Sequence, residues 1–420
     1  MTEDFSVLSK IQPQIGNVAT ATKKTFLFEP AIDLIITGLT QDITKRLCEK
    51  LEFKDEQDFM KNPSKVKELL EALQKESKMY EDINLSTIEI EPKLAGSFGN
   101  TFFTMNRIIP KSIGVILPFK LELKEGQPYS AEIYEQMTTE LGKEHLYIEE
   151  SLVDNSNSFI KIICFSDTKK MLSSGMDKLT ITSDDLKTKL KEYNEVYIEG
   201  FLLANNFDKF CSALKEINSK INITLSSKYI FNEEQRKQLR DLIGKGKIKE
   251  IYGNDEEIEA LFESLLEFKK NRDKFLINYS RINKITILET KGKDGAVLYH
   301  KGEKIEVPAL YLQSKELESG NVMGAGDTFL AGFLKSREIL GEDNEENLKI
   351  ALKFGIILAT EVLKIREGSL SKEQIIKNIF KEREINSETL KQIVKEMYEE
   401  KDKFKDGKRI STKPIYCGRE

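Results

Sequence analysis

The 420-residue chain carries 65 Lys and Arg against 70 Asp and Glu, for a formal net charge of −5 and a pI near 5.6. That balance argues against a dedicated nucleic-acid binder, which is ordinarily basic. With 39% hydrophobic residues, the length suits one large α/β domain or two ordinary ones, each with a real core. Cys48, Cys164, Cys211 and Cys417 are scattered, and His145 and His300 are too few and too far apart to complete a zinc site with them. The thiols read as buried or idle in a reducing compartment. The opening MTEDFSVLSKIQPQIG lacks the basic start and apolar core of a signal peptide. No apolar run approaches the ~20 residues that span a bilayer. A soluble, cytoplasmic protein is expected.

Residues 25–37, TFLFEPAIDLIIT, predict two strands joined by a turn at Pro30. Residues 45–78 predict one or two charged surface helices. KLAGSFGNTFFTM (93–105) predicts a glycine-bearing loop leading into a helix. IGVILPFKLELK and SFIKIICFS, within 113–165, read as β-rich, with a helix-like segment at 131–141 between them. From Val196 onward strand and helix patterns alternate: VYIEGFLL, a helix through Leu214, ITLSS, a helix near 233–242, IKEIYGN, a helix at 255–270, and ITILETKG. Paired short strands follow in GAVLYHKGEKIEVPAL, then helices at 327–338 and 345–365. Such alternation is the pattern of βαβ units around a parallel sheet covered on both faces. Beyond Gly368 the chain is mostly charged helix, with Leu390, Ile393, Val394 and Met397 on one apolar face. Packing of that face on its own domain and docking of a partner helix are both open.

The segment that carries chemistry is GNVMGAGDTF (320–329), running into LAGFL. The small residues Gly324, Ala325 and Gly326 let the backbone turn tightly and aim N–H groups at one point, where the next helix adds its positive end. A phosphate, or the charge that develops in phosphoryl transfer, is stabilised at such a place. Asp327 falls in the first turn, where a carboxylate can accept a proton from an attacking hydroxyl. A plain glycine turn with Asp327 as a cap is the simpler reading of the tetrad alone.

GAGDTFLAGFL closely resembles the C-terminal signature of the ribokinase-like (PfkB) carbohydrate and nucleoside kinases. That resemblance implies Asp327 as general base and the N–H groups of Gly324, Ala325 and Gly326 as the anion hole. IYGNDEEIEAL resembles the family's N-x-x-E segment, which implies that Asn254 and Glu257 organise magnesium and phosphates, with Glu257 the metal-side carboxylate. Magnesium prefers oxygen ligands and retains several waters, so a carboxylate acting partly through water is reasonable. A helix cap explains the same pair without a ligand. ITILETKGKDGAVLY resembles the strand and turn that approach the nucleotide, which implies Thr290 and Gly292 near ATP; the Asp294-Gly295 pair also fits an ordinary β-turn. EPAID resembles the segment that supplies a substrate-binding aspartate, here Asp33, and AGSFGNT the first glycine signature, which implies Gly96 and Asn100 as sugar contacts. The pattern is nearest to the adenosine kinases of that family.

Asn321, Val322 and Met323 depart from the acid-bearing residues that usually precede GAGD, and Ala95 replaces the first glycine of its pair. The expected fold is a three-layer α/β/α ribokinase-like domain over residues 1–368, with a mostly parallel sheet and a small β-rich lid from about 25–37 and 113–165. A charged helical extension over 369–420 follows. The expected function is ATP- and Mg2+-dependent phosphorylation of a hydroxymethyl group on an adenosine-like nucleoside. A free sugar or sugar phosphate as acceptor, or a weakened relative that only binds, are the alternatives. Phe98, Phe102, Tyr229 and Phe231 are candidates for a purine slot. No nucleic-acid or membrane partner is expected, and the protein is a monomer or homodimer.

Overall fold

Alternate residues of the central strands send their side chains into two different cores. Leu27, Val196, Ile198, Ile223, Ile251, Ile287 and Val297 pack on one side; Phe26, Tyr197, Tyr252, Leu288 and Leu298 pack on the other. The period of two is that of a pleated strand, and its two apolar faces require helices on both sides. The structure is a computed structural model that describes residues 24–27, 31–37, 46, 49, 89–95, 97–109, 114–117, 146–148, 160–165, 170–174, 182–310, 324–365 and 370–402.

In chain order the strands are β1 (Lys24–Leu27), β2 (Ala31–Thr37), β3 (Glu89–Ala95), β4 (Gly114–Leu117), β5 (Leu146–Ile148), β6 (Ile160–Phe165) and β7 (Lys170–Ser174). They continue with β8 (Glu195–Ile198), β9 (Lys220–Thr224), β10 (Ile248–Asn254), β11 (Thr286–Thr290), β12 (Ala296–His300) and β13 (Glu303–Val307). Among the described residues, nine form one sheet in the order β13-β12-β11-β10-β9-β8-β1-β4-β5. Every pair in it is parallel except β11–β12 and β12–β13. The other four, in the order β3-β2-β6-β7, make a separate mixed sheet.

The small second sheet was expected from 25–37 and 113–165, and its membership is different. β1 and β4, both inside those ranges, pair with each other in the large sheet, and β5 joins them there. Strands β3 and β7, outside the ranges, complete the small one. Strands β1 and β2 therefore belong to two different sheets rather than to one lid. The expected helices at 45–78, apart from residues 46 and 49, and at 131–141 lie outside the described residues.

The helices are α1 (Ser97–Ile108), α2 (Ser183–Leu190), α3 (Gly200–Asn205), α4 (Phe207–Glu216), α5 (Glu233–Gly244), α6 (Asp255–Phe262), α7 (Leu266–Lys270), α8 (Arg272–Asn283), α9 (Ala325–Leu340) and α10 (Glu345–Val362). A turn at Lys372–Gln374 then runs through a π-helical turn, Ile375–Phe380, towards α11 (Ser387–Asp402). Buried residues of α1, α9, α10 and α11 share the core that holds Phe26 and Tyr197; those of α2 to α8 share the other. Leu390, Ile393 and Val394 are buried in the first of these cores, with Met397 packed at its margin, so the stripe on α11 faces its own chain. No described helix is long and apolar enough to cross a membrane.

Two contacts fix α9. A Cβ on Gly355 of α10 would lie 2.7 Å from the Phe329 carbonyl oxygen, and one on Gly332 of α9 would lie 2.9 Å from the Gly355 Cα. Near its other end, Arg337 donates to both oxygens of Glu250 at 2.7 and 3.3 Å. Glu250 also receives Lys220 at 2.6 Å and the Tyr252 hydroxyl at 2.6 Å. Burial alone would raise the Glu250 pKa, but Arg337 and Lys220 overcome it and hold the carboxyl well below its usual range.

Replacing Gly355 by Ala gains about 1 kcal/mol of helix propensity but sets a methyl against backbone. The clash should win, with a net loss of about 1–3 kcal/mol measured by urea unfolding. Arg337→Met should lose about 3–5 kcal/mol, because Glu250 keeps its burial without its main counter-charge. The pH dependence has a defined sign. Glu250 is depressed in the folded state, so its contribution is present above the unfolded carboxylate value of about 4.3 and is lost as pH falls through the lowered folded value. Acid unfolding of Arg337→Met should accordingly begin at higher pH than in the wild type.

Candidate functional site

In the large sheet the strand numbers fall from β13 to β8 and then reverse through β1, β4 and β5. The strand order reverses between β8 and β1, and open parallel sheets ordinarily take ligands outside the carboxyl ends of the strands at such a point. The Glu199 N–H donates to the Leu27 carbonyl across that junction. Glu199 itself is 2% exposed, an acid at the carboxyl end of β8 that the sequence reading passed over within VYIEGFLL. An acid directly after an apolar strand was the available signal.

Helix α9 delivers Asp327 to the same edge. Arg337 meets Glu250 near the start of β10, and Asp327 stands ten residues earlier, about 15 Å along a straight helix. The chain enters α9 through Gly324, in the left-handed region at φ 74° and ψ −7°. A glycine takes that conformation without steric penalty. No side chain caps this terminus, and the intrahelical bonds begin with the Thr328 N–H donating to the Gly324 carbonyl at 2.8 Å. Gly326 is exposed and Asp327 half-buried. Asn100 of α1 donates to Asp327 Oδ2 at 3.3 Å, and the Thr101 hydroxyl donates to the Asp327 backbone carbonyl at 3.0 Å. The structure thus joins Asn100 to Asp327, two candidates 227 residues apart.

The second group lies at the ends of β10 and β11, where Asn254 and Thr290 are register partners. Asn254 caps α6: its Oδ1 accepts from the Glu257 N–H at 2.9 Å, and Glu257 Oε2 accepts from the Asn254 N–H at 3.0 Å. The Asn254 amide also donates to Glu257 Oε1 at 2.9 Å. Burial lifts the Glu257 carboxyl to about 6, aided by Glu256 and Asp255 and opposed by the bonds from Asn254. Gly292, at φ +53°, opens a 3-10 turn over Gly292–Asp294, where a simple β-turn at Asp294-Gly295 was the alternative. Among the described residues no three or more His, Cys, Asp or Glu gather as metal ligands. A cation that takes most of its ligands from water and phosphate oxygens needs no such cluster.

Asp33 lies in β2, in register with Lys93 of β3 and Ile162 of β6. Gly96, Asn321, Val322 and Met323 lie outside the described residues. Two of the aromatics weighed for a purine slot are core instead: Phe102 packs on Phe26 and Phe103, and Phe231 on Phe207. Tyr229 is 67% exposed, with the Lys228 ammonium 5.1 Å from its ring centre. Phe98 lies in the first turn of α1. Cys211 is buried and its thiol is pushed up to about 12 by burial, and His300 is engaged by the Thr286 hydroxyl at 2.8 Å; neither belongs to the site.

Solved structures share this fold. Adenosine kinase from Sinorhizobium meliloti is 16% identical, with a TM-score of 0.59 over 86% of this chain and 99% of that one. Ribokinase from Thermotoga maritima is 13% identical, with a TM-score of 0.55 over 89% and 99%. Adenosine kinase from Schistosoma mansoni, in complex with 2-fluoroadenosine, is 16% identical, with a TM-score of 0.58 over 84% and 99%. No curated protein matches the sequence significantly. The sequence model of the pfkB family carbohydrate kinases matches residues 133–371, more than half of the chain, and spans Asn254, Glu257, Thr290, Gly292 and the GAGD segment. With that match and the ribokinase-type fold, the chain belongs to the pfkB family of carbohydrate kinases and is a sugar or nucleoside kinase.

Proposed function

We propose that the protein transfers the γ-phosphoryl group of ATP to a hydroxymethyl group of a nucleoside of adenosine type, with Asp327 as general base. The observation that carries this reading is the placement of Asp327 in the first turn of α9, at the carboxyl edge of the sheet, behind a terminus without a side-chain cap. Asp327 takes the proton from the acceptor hydroxyl as its oxygen attacks the γ-phosphorus. The bond from that phosphorus to the β–γ bridging oxygen breaks, and ADP leaves. The N–H groups of Gly324, Ala325 and Gly326 face the charge that spreads over the transferred group. Thr290 and Gly292 hold the nucleotide, and Asp33, Gly96 and Asn100 the acceptor.

Mg2+ would neutralise phosphate charge between donor and acceptor. Asn254 and Glu257 would hold its water shell, and a carboxyl lifted to about 6 by burial and acidic neighbours is one that gains from a nearby cation. The small sheet is rooted at the same edge, since three residues separate β1 from β2 and one separates β3 from α1. Its closure over the acceptor would exclude water and favour transfer over hydrolysis. A free sugar is the second reading, favoured by the likeness in fold to a ribokinase.

ATP turnover with Mg2+ across adenosine, inosine, ribose and fructose tests this directly. Turnover on one acceptor should fall about 10²- to 10⁴-fold in Asp327→Ala. ATP binding without turnover on any of them would point to a weakened relative, and wild-type turnover in the variant would remove Asp327 as base.

Glu257→Gln separates cap from charge. Gln retains the reciprocal capping bonds, so α6 stays intact. The folded Glu257 value is raised, so its contribution to stability is present below the unfolded value of about 4.3 and is lost as pH rises through about 6. The variant should melt higher than the wild type at pH 7.5, by a margin that disappears near pH 4, while its Mg2+ requirement for turnover rises. An unchanged Mg2+ requirement would leave Glu257 as a cap alone.

A further inference from the structure

We infer that Asn100 and Thr101 form a two-point clamp on the base, in which Asn100 is a positioning residue for the Asp327 carboxylate and not only a contact for the acceptor. This rests on the reading of Asp327 as base.

The two residues are consecutive on α1 and reach different parts of one target. The Asn100 amide nitrogen lies 3.3 Å from Asp327 Oδ2. The Thr101 hydroxyl, on a residue with no exposure, donates to the Asp327 backbone carbonyl at 3.0 Å. An ionised carboxylate only accepts hydrogen bonds, so the amide must turn its N–H edge to Asp327. That bond favours the charged form of the base and fixes the orientation of its carboxylate. The hydroxyl bond holds the α9 backbone at the same residue, so backbone and side chain are set together. A base must be held to within a fraction of an ångström of its proton donor to be effective.

The clamp is itself held firmly. Phe102, Phe103, Met105 and Ile108 of α1 are each at most 2% exposed, in the same core as Phe329, Leu330 and Phe333 of α9. At the far end of α1, the Arg107 guanidinium donates to the Leu370 carbonyl at 2.8 Å. The charged groups on these two helices stand well away from the base. Arg107 lies seven residues beyond Asn100, and Lys335, Arg337 and Glu338 lie eight to eleven residues beyond Asp327, about 10–16 Å along the helices. The nearest residue of α1 able to set the charge of Asp327 is Asn100.

The test is a pair of readouts on the full-length protein. One is the 13C titration of the Asp327 carboxyl, assigned by its loss in Asp327→Asn, in wild type, Asn100→Ala and Asn100→Asp. The other is kcat and KM against pH with MgATP and adenosine or ribose, extended to Thr101→Val and Thr101→Ser. The Asp327 titration should move up in Asn100→Ala, and further in Asn100→Asp, where two carboxylates about this close cannot both ionise freely. The acid limb of kcat should move with it. Asn100→Ala should lower kcat roughly 10-fold in addition to any rise in acceptor KM from the lost contact, and Thr101→Ser should restore what Thr101→Val loses. An Asp327 titration unmoved by both Asn100 variants, or a raised KM with an unmoved acid limb, overturns the clamp. A moved titration in a protein whose Asp327→Ala variant remains fully active would remove the base reading and leave only the contact.

Discussion

The ion pair between Arg337 and Glu250 sets where chemistry can happen in this molecule, although it lies at the end of α9 away from the candidate base. Glu250 is 3% exposed and receives Arg337, Lys220 and the Tyr252 hydroxyl. A buried pair of this kind is a weak source of net stability compared with apolar packing, but it is intolerant of displacement. A helix is stiff on this scale, so pinning Arg337 near the start of β10 fixes the far end as well. The Gly332–Gly355 approach removes the remaining freedom by setting α9 against α10 with no side chain between them. Together they aim the first turn of α9 at the carboxyl edge of the sheet, and the proposed active site inherits its geometry from that aim.

The two edges of the sheet are treated differently. At the amino edge, acids and bases are matched: Glu195 with Lys220 and Lys24, Glu250 with Arg337 and Lys220, and Glu338 with Lys24 and Lys335. At the carboxyl edge Glu289 is matched by Arg272, and the groups of the candidate site are set differently. The α9 terminus has no side-chain cap, Glu257 is raised rather than neutralised by a base, and Gly292 and Gly324 hold the backbone at positive φ. Groups oriented in advance of a reaction need no reorganisation when charge develops. The closed edge supplies the rigidity on which that orientation depends.

Chemistry that depends on local backbone rules was legible in the sequence. GAGD announced a tight turn into a helix because its glycines and Asp327 are adjacent, and N-x-x-E announced a cap because capping is a three-residue rule. What failed was pairing at a distance. Residues 25–37 read as two strands of one small lid, yet β1 pairs with strands starting at Gly114 and Glu195, and β2 with Glu89–Ala95 and Ile160–Phe165. No pattern within thirteen residues contains that information. The bond from Asn100 to Asp327 was hidden for the same reason, since two motifs read separately gave no sign of touching. Phe102 and Phe231, weighed for a purine slot, are core, since an aromatic looks the same in sequence whether it faces a ligand or a core.

Among the described residues of the candidate site, Gly326 and Glu257 have identities that the fold does not explain. The glycines at 200, 295, 332 and 355 are accounted for internally, since a Cβ on any of them would come within 3 Å of backbone atoms of this chain. Gly326 is different: a Cβ there meets nothing within 4 Å, and glycine in a helix is about 1 kcal/mol worse than alanine. Packing gives no reason for it, whereas close approach of an anion to the backbone does. Glu257 follows the same logic. Glutamine would keep both reciprocal capping bonds of α6, losing only the bond from the Asn254 amide, without a carboxyl that burial and two acidic neighbours work to neutralise. A charge kept against its surroundings, and a glycine kept against helix propensity, are intelligible where a phosphate and its counter-ion are to be bound. On the proposed reading, cap and ligand-binding role at Asn254–Glu257 are one arrangement, in which the cap holds the carboxylate in place.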